Sequence, residues 1–137
     1  MRLILPLSLI ILLSACSSKS ETQPYEAQNN NMEVEVLLSS IHRCSRISPE
    51  IRVDNIPQGT KSFNVHLVEH GREDILLGGG TYINDGSGII PEGALTRIYR
   101  GPCPPLGQIR EYSFAISAQG VDPTKPLAVR LYKFTQE

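Results

Sequence analysis

Residues 99–107 read Tyr-Arg-Gly-Pro-Cys-Pro-Pro-Leu-Gly and are rich in residues that constrain the backbone. Each of the three prolines fixes φ and removes a backbone N–H donor, so we expect this stretch to be stiff and extended. Gly101 and Gly107 flank the prolines and allow close approach of other backbone segments. The stretch therefore predicts a rigid rim, which either borders a ligand pocket or forms a structural turn without a ligand.

Alternating apolar and polar residues on both sides of this rim predict short β-strands. The alternation occurs in five segments, which are residues 32–38, 50–54, 62–67, 112–118 and 127–132. In the last segment the apolar set is Leu127, Val129 and Leu131, opposite Ala128, Arg130 and Tyr132. Five strands in about a hundred residues, with frequent glycine and proline and no helical period, predict an all-β sandwich with little helix.

Between His70 and Pro102 the alternation is lost. This region contains Gly78-Gly79-Gly80, Asp85-Gly86-Ser87-Gly88 and Pro91-Glu92-Gly93. Glycine and proline clusters of this kind are typical of loops. We therefore expect a long loop region, which is where a binding site would lie.

Length and charge limit the classes of function. The chain has 137 residues, which leaves room for one domain and one core once a leader is removed. Its formal net charge is −1, with 13 basic and 14 acidic side chains spread along the chain. This balance supplies no field that would attract nucleic acid phosphates, so nucleic-acid binding is not expected.

The first 16 residues have the three regions of a secretory signal. Arg2 precedes an apolar run over residues 3–13, and Leu13-Ser14-Ala15-Cys16 follows, which resembles a lipobox. An uncleaved transmembrane anchor is disfavoured because the apolar run would reach roughly 16 Å as a helix, half of a ~30 Å hydrocarbon core. We expect Cys16 to be acylated and to become the first residue of the mature chain. A plain cleaved signal peptide is the alternative.

The segment after Cys16 predicts a tether and a location in the cell envelope. Residues 17–31 are polar and almost free of large apolar groups, so they are not expected to form a core. Ser17 favours the outer membrane over the inner membrane, by analogy with enteric lipoproteins. The predicted organisation is a signal peptide over residues 1–15, a lipidated tether over residues 16–31, and one periplasmic domain over residues 32–137.

With Cys16 used for lipid, Cys44 and Cys103 remain as a pair in an oxidising compartment. A structural disulfide between them is the simplest prediction. The alternative is a reactive thiol, for which nearby Arg43, Arg46 or Arg100 would have to lower the thiol pKa.

Five motifs carry a resemblance to a known family. They are residues 48–53 (SPEIRV), 56–63 (IPQGTKSF), 91–94 (PEGA), 99–107 (YRGPCPPLG) and 112–114 (YSF). Their order and spacing resemble the phosphatidylethanolamine-binding protein (PEBP) family, which includes Raf kinase inhibitor-like proteins, over most of the predicted domain. The resemblance implies a Greek-key β-sandwich with a small pocket for anions such as phosphate or a phospholipid headgroup.

The ligand site that the resemblance implies is altered here. The family's Asp-Pro-Asp-x-Pro is replaced by a stretch that keeps Glu69 as its carboxylate, the family's His-Trp pair has no counterpart, and Arg110 stands in place of a His. An Arg guanidinium can bind phosphate in a bidentate manner, although an ordinary exposed strand arginine is the alternative. The predicted ligand-binding residues are Glu69, Gly101, Pro102, Pro104, Pro105, Arg110 and Tyr112.

Two functions follow as hypotheses. The first is a membrane-anchored module that binds a small anion or a phospholipid headgroup, and the second is a structural or interaction lipoprotein with a decayed pocket and an envelope protein partner. No catalytic residue, cofactor or metal site is predicted. His66 and His70 would lie about 13 Å apart on an extended strand, too far for one metal ion, and no Gly-x-Ser-x-Gly nucleophile motif is present.

Overall fold

The computed structural model describes residues 31–137, and the predicted signal peptide and almost all of the predicted tether lie outside them. The described part contains one 3-10 turn, Ser40–His42, and seven strands. In chain order these are β1 (Glu33–Val36), β2 (Ile51–Asp54), β3 (Ser62–His70), β4 (Ile75–Ile83), β5 (Ile89–Ile90), β6 (Arg110–Gln119) and β7 (Ala128–Gln136). The predicted all-β fold with little helix is confirmed.

The strands form two antiparallel sheets that pack face to face. One sheet has the order β1-β2-β5 and the other has the order β4-β3-β6-β7. After β4 the chain crosses to β5 in the opposite sheet and returns to place β6 beside β3, a connection of the Greek-key kind. The core lies between the two sheets, and its buried members include Val36, Ile51, Val53, Ile90, Phe63, Val65, Leu67, Phe114 and Ile116.

The inward face of β7 differs from the predicted one. Ala128 is buried and Tyr132 and Phe134 pack against the core, whereas Leu131 is 57% exposed. Register is the reason, because Tyr132 and Phe134 lie directly opposite Phe114 and Tyr112 of β6 and therefore share their face. The Phe134 ring then stacks on Tyr112 and Phe114, with centroid distances of 5.5 and 5.8 Å.

The region predicted as a long loop contains β4, so that prediction was wrong for residues 75–83. Three glycines fit this edge strand because other backbone segments lie against them. A Cβ on Gly79 would collide with the carbonyl oxygen of Val65, and a Cβ on Gly78 would collide with that of Ile98. The ladder between β3 and β4 also shifts register between His66 and Val68, as at a β-bulge.

Substitution of Gly79 by alanine tests this packing. Because the new methyl group would meet the backbone of the neighbouring strand, Gly79→Ala should lower the free energy of unfolding by about 1–3 kcal/mol. Gly71→Ala is the control, since a Cβ there meets nothing closer than 3.6 Å. Chemical unfolding of both variants would check the prediction, and equal stability of the two would contradict it.

The two ends of the sandwich carry different parts of the chain. At one end the side-chain amide of Asn55 donates to the carbonyl oxygen of Asn31 (3.1 Å), so the described chain enters beside the β2–β3 turn. β3 begins near this end and spans roughly 27 Å at about 3.3 Å per residue. Its other end, at His70, is the end at which β6 begins, and there the proline-rich rim precedes β6.

Candidate functional site

The rim is fastened to the segment after the 3-10 turn. The predicted disulfide between Cys44 and Cys103 is present, with a Cα–Cα distance of 4.5 Å. The Cys44 N–H donates to the Pro102 carbonyl (3.0 Å), and the Gly101 N–H donates to the Ser45 carbonyl (2.6 Å). These links hold the rim rigidly, as its prolines predicted.

Gly101 is required by this arrangement. A Cβ at residue 101 would collide with the carbonyl oxygen of His42, so only glycine lets the rim approach the 3-10 turn this closely. His42 is itself buried, and its ring accepts the Ser39 N–H at Nδ1 (2.9 Å) and reaches Glu92 through Nε2 (3.0 Å). Nδ1 accepts, so Nε2 carries the proton in the neutral ring and donates to the Glu92 carboxylate.

Three of the predicted ligand-binding residues meet beside the rim. Glu69 near the end of β3 lies directly opposite Tyr112 of β6, and Arg110 at the start of β6 forms an ion pair with Glu69 (Nη1–Oε1 3.7 Å). Arg110 also donates from Nε and Nη2 to the side-chain oxygen of Gln108, at 3.1 and 2.6 Å. The side chain is about one-third exposed, so its guanidinium keeps access to solvent.

The Tyr112 hydroxyl is buried and makes no well-formed hydrogen bond among residues 31–137, although the Glu69 carboxylate and the backbone of Cys103 lie close to it. Its burial, followed by the nearby carboxylate of Glu69, raises the pKa of Tyr112 to about 12, while Arg110 and the backbone of Cys103 act in the opposite direction. The hydroxyl therefore keeps its proton at neutral pH.

The prolines of the rim contribute in different ways. Pro102 and Pro104 are buried, and Pro105 is exposed beside Leu106 and Gly107. Gly107 has φ +76°, which other residues rarely adopt, so the chain turns there toward β6. The rim thus presents Pro105 to solvent and the backbone of Cys103 to Tyr112.

A hydrogen-bonded row of Asp74, His70 and Ser113 has the residue types of a hydrolase triad. Asp74 Oδ1 lies 3.1 Å from His70 Nδ1, and His70 Nε2 lies 2.8 Å from the Ser113 hydroxyl. Ser113 is only 3% exposed. It stands in an interior strand paired on both sides, so its backbone amide belongs to the sheet and not to an oxyanion hole. This row fastens the β3–β4 turn to β6.

Among residues 31–137 no group of three His, Cys, Asp or Glu side chains could hold a metal ion. Within the same residues no helix has the length and apolar character needed to cross a membrane.

The fold is similar to that of a solved structure. The crystal structure of YbcL from E. coli, a new member of the mammalian PEBP family, superposes with a TM-score of 0.59 and covers 77% of this chain and 98% of YbcL. The chain has the PEBP fold. No family model and no curated protein matches the sequence.

Sequence identity to YbcL is 17%, so the likeness extends to the fold alone. Within the PEBP fold, Glu69, Arg110 and Tyr112 lie close together beside the rim. This proximity is what a single site made of these three predicted residues requires. Sequence reasoning missed Gln108, which positions the guanidinium of Arg110 from within the loop before β6. A polar residue two positions before an arginine is too common to be recognised as a signal.

Proposed function

We propose that this protein is a bacterial lipoprotein, anchored to the outer membrane through acylated Cys16, whose PEBP-like domain binds a small phosphate-bearing ligand or a phospholipid headgroup in the periplasm. The ligand site consists of Glu69, Arg110 and Tyr112 beside the rim over residues 101–105. The observation that carries the binding proposal is the buried Tyr112 hydroxyl, which lies beside the Glu69 carboxylate and the Cys103 backbone without making a well-formed hydrogen bond. It lies next to a charged pair that remains partly accessible to solvent.

The charged pair favours a ligand of mixed charge. Arg110 offers a planar guanidinium to phosphate oxygens, and Tyr112 offers a hydroxyl proton that makes no well-formed hydrogen bond. Glu69, whose side chain is 18% exposed, would repel a bare anion but would attract an ammonium group. A headgroup such as phosphoethanolamine satisfies all three side chains, so we expect it to bind better than inorganic phosphate.

The second candidate function is an interaction lipoprotein with a decayed pocket. Leu106 and Ile109 follow the last proline of the rim and are 96% and 68% exposed. Large apolar side chains that stand out beside a rigid rim are suited to docking of an envelope protein. Under either function we propose that the protein is not an enzyme and needs no cofactor.

Arg110 distinguishes the two functions. If a phosphate group binds between the rim and β6, Arg110→Ala should weaken binding about tenfold to hundredfold, because a charged hydrogen bond contributes about 1.5–3 kcal/mol. Arg110→Lys should recover only part of the affinity, since lysine keeps the charge but loses the planar fork. Calorimetric titration with glycerophosphoethanolamine and with inorganic phosphate would measure both effects.

The control for this titration is Lys61→Ala, which removes an exposed cation just before β3, at the opposite end of the sandwich. Lys61→Ala should bind as the parent does. A flat titration of the parent protein at millimolar ligand would remove the binding proposal for these compounds. An unchanged affinity in Arg110→Ala would remove Arg110 from the site.

A further inference from the structure

A cavity of about 440 Å³ lies in the part of the structure formed by residues 46 and 93–100. Its walls include the side chains of Arg46, Leu95, Ile98, Tyr99 and Arg100. None of these residues belongs to the group formed by Glu69, Arg110 and Tyr112. The cavity therefore has a different set of lining residues from the first candidate site.

Two positive charges at this cavity are uncompensated. Arg46 and Arg100 are exposed, and neither side chain makes an ion pair or hydrogen bond with another residue in the described part of the chain. Arg52 and Arg110 are paired with Glu50 and Glu69, and the other arginines without an ion pair in the described residues, Arg43, Arg72 and Arg97, do not line this cavity. The nearby carboxylate of Glu92 is already engaged by His42. Two unpaired guanidinium groups at one cavity favour a dianion.

Tyr99, one of the lining residues, carries a buried polar group without a partner. Tyr99 is 3% exposed, and its hydroxyl makes no hydrogen bond within residues 31–137. Burial raises the pKa of Tyr99, so the hydroxyl stays protonated. The remaining wall is apolar, with Leu95 buried and Ile98 exposed at the opening.

The segment that carries these residues is rigid. The backbones of Gly79 and Arg97 exchange two hydrogen bonds (3.1 and 2.9 Å), and the Arg100 N–H donates to the Leu77 carbonyl (2.8 Å). Between these links Ile98 has φ +54°, which a β-branched residue rarely adopts. Such strain is held only where the surroundings impose it, and it is found preferentially at functional sites.

We propose that this cavity is a second binding site, for a small phosphate monoester that carries an adjoining apolar group. The phosphate binds between the guanidinium groups of Arg46 and Arg100, and the apolar group lies against Leu95 and Ile98. The two arginines come from separate segments, so a doubly charged phosphate monoester matches them better than a single carboxylate. This proposal uses none of the residues of the first site, so either site can fail without the other.

Phenyl phosphate is a probe with both required parts, and inorganic phosphate lacks the apolar one. Calorimetric titration of the full-length chain in a non-ionic detergent should give tighter binding of phenyl phosphate than of inorganic phosphate. Arg46→Gln and Arg100→Gln should each weaken phenyl phosphate binding about tenfold to hundredfold, since each removes a charged hydrogen bond. The matched control is Arg72→Gln, which removes an exposed arginine of the β3–β4 turn that does not line the cavity.

Three results would overturn the proposal. The first is a flat titration of the parent protein at millimolar phenyl phosphate. The second is an equal loss of binding in Arg72→Gln, which would indicate attraction by net charge alone. The third is binding that survives in Arg46→Gln and Arg100→Gln but is lost in Arg110→Ala, which would place the probe beside Tyr112. Thermal unfolding of each variant confirms that the fold is intact.

Discussion

Replacing Cys44 and Cys103 together by serine should lower the free energy of unfolding by about 4 kcal/mol. The disulfide closes a loop between residues separated by 59 positions, and its loss returns the corresponding chain entropy to the unfolded state. A domain of this size has a total stability of about 5–15 kcal/mol, so the double variant should be close to unfolding at 37 °C. Urea unfolding of the oxidised parent and of the double variant measures the difference.

Reduction of the parent protein is the matched control for this prediction. Treatment with dithiothreitol breaks the same bond without changing any other atom, so it should lower the unfolding midpoint to nearly the same extent. Equal midpoints for the parent and the double variant would show that the disulfide does not stabilise the domain. A reactive-thiol role for either cysteine would be indicated by free thiols in the exported protein.

Cys16→Ala should move the protein out of the membrane fraction almost completely. In the proposed lipoprotein the Cys16 thiol is the attachment point of the two acyl chains that stable anchoring needs, so its removal prevents anchoring. The variant should accumulate as an uncut precursor or as soluble periplasmic protein, and it should no longer incorporate labelled palmitate. Membrane fractionation and metabolic labelling measure these effects.

Ser17→Ala is the control for the anchor, because it changes the residue next to Cys16 without removing the thiol. It should remain acylated and membrane-bound. An unchanged membrane fraction for Cys16→Ala would refute the lipoprotein prediction. Cys16 lies outside the described residues, so this prediction depends on the sequence alone.

Five of the seven strands in the described part could be predicted from alternation. β1, β2, β3, β6 and β7 each alternate between more buried and more exposed residues over most of their length, which is the pattern that a half-buried strand requires. For β7 the alternation predicted a strand but not which of its two faces points toward the core. That face is decided by the register with β6 and by the stacking of Phe134 on Tyr112, which are contacts between residues distant in sequence.

β4 and β5 could not be recognised for different reasons. The middle of β4 is three glycines, which have no side chains and therefore no alternation, and their suitability comes from the backbones of Val65 and Ile98. β5 has two residues, which is too short for any period. In both cases the strand is specified by its neighbours and not by its own sequence.

The candidate sites show a similar division. Glu69, Arg110 and Tyr112 could be grouped because a family resemblance placed them, and the ladder between β3 and β6 brings them together. No family resemblance pointed to the cavity between Arg46 and Arg100. Its two cations stand 54 positions apart in the chain, and Tyr99 is an ordinary core aromatic until its hydroxyl is found unpartnered.

The chain enters the domain beside Asn55, whereas Tyr112 lies at the far end of β3. The chain's entry point and the candidate site therefore lie at opposite ends of the sandwich. If the membrane holds this domain through the N-terminal segment, Tyr112 and its surroundings lie at the end of β3 that is farther from the attachment point. A headgroup taken up there would come from a facing surface or from free solution, which suits a receptor that samples what lies opposite its own membrane.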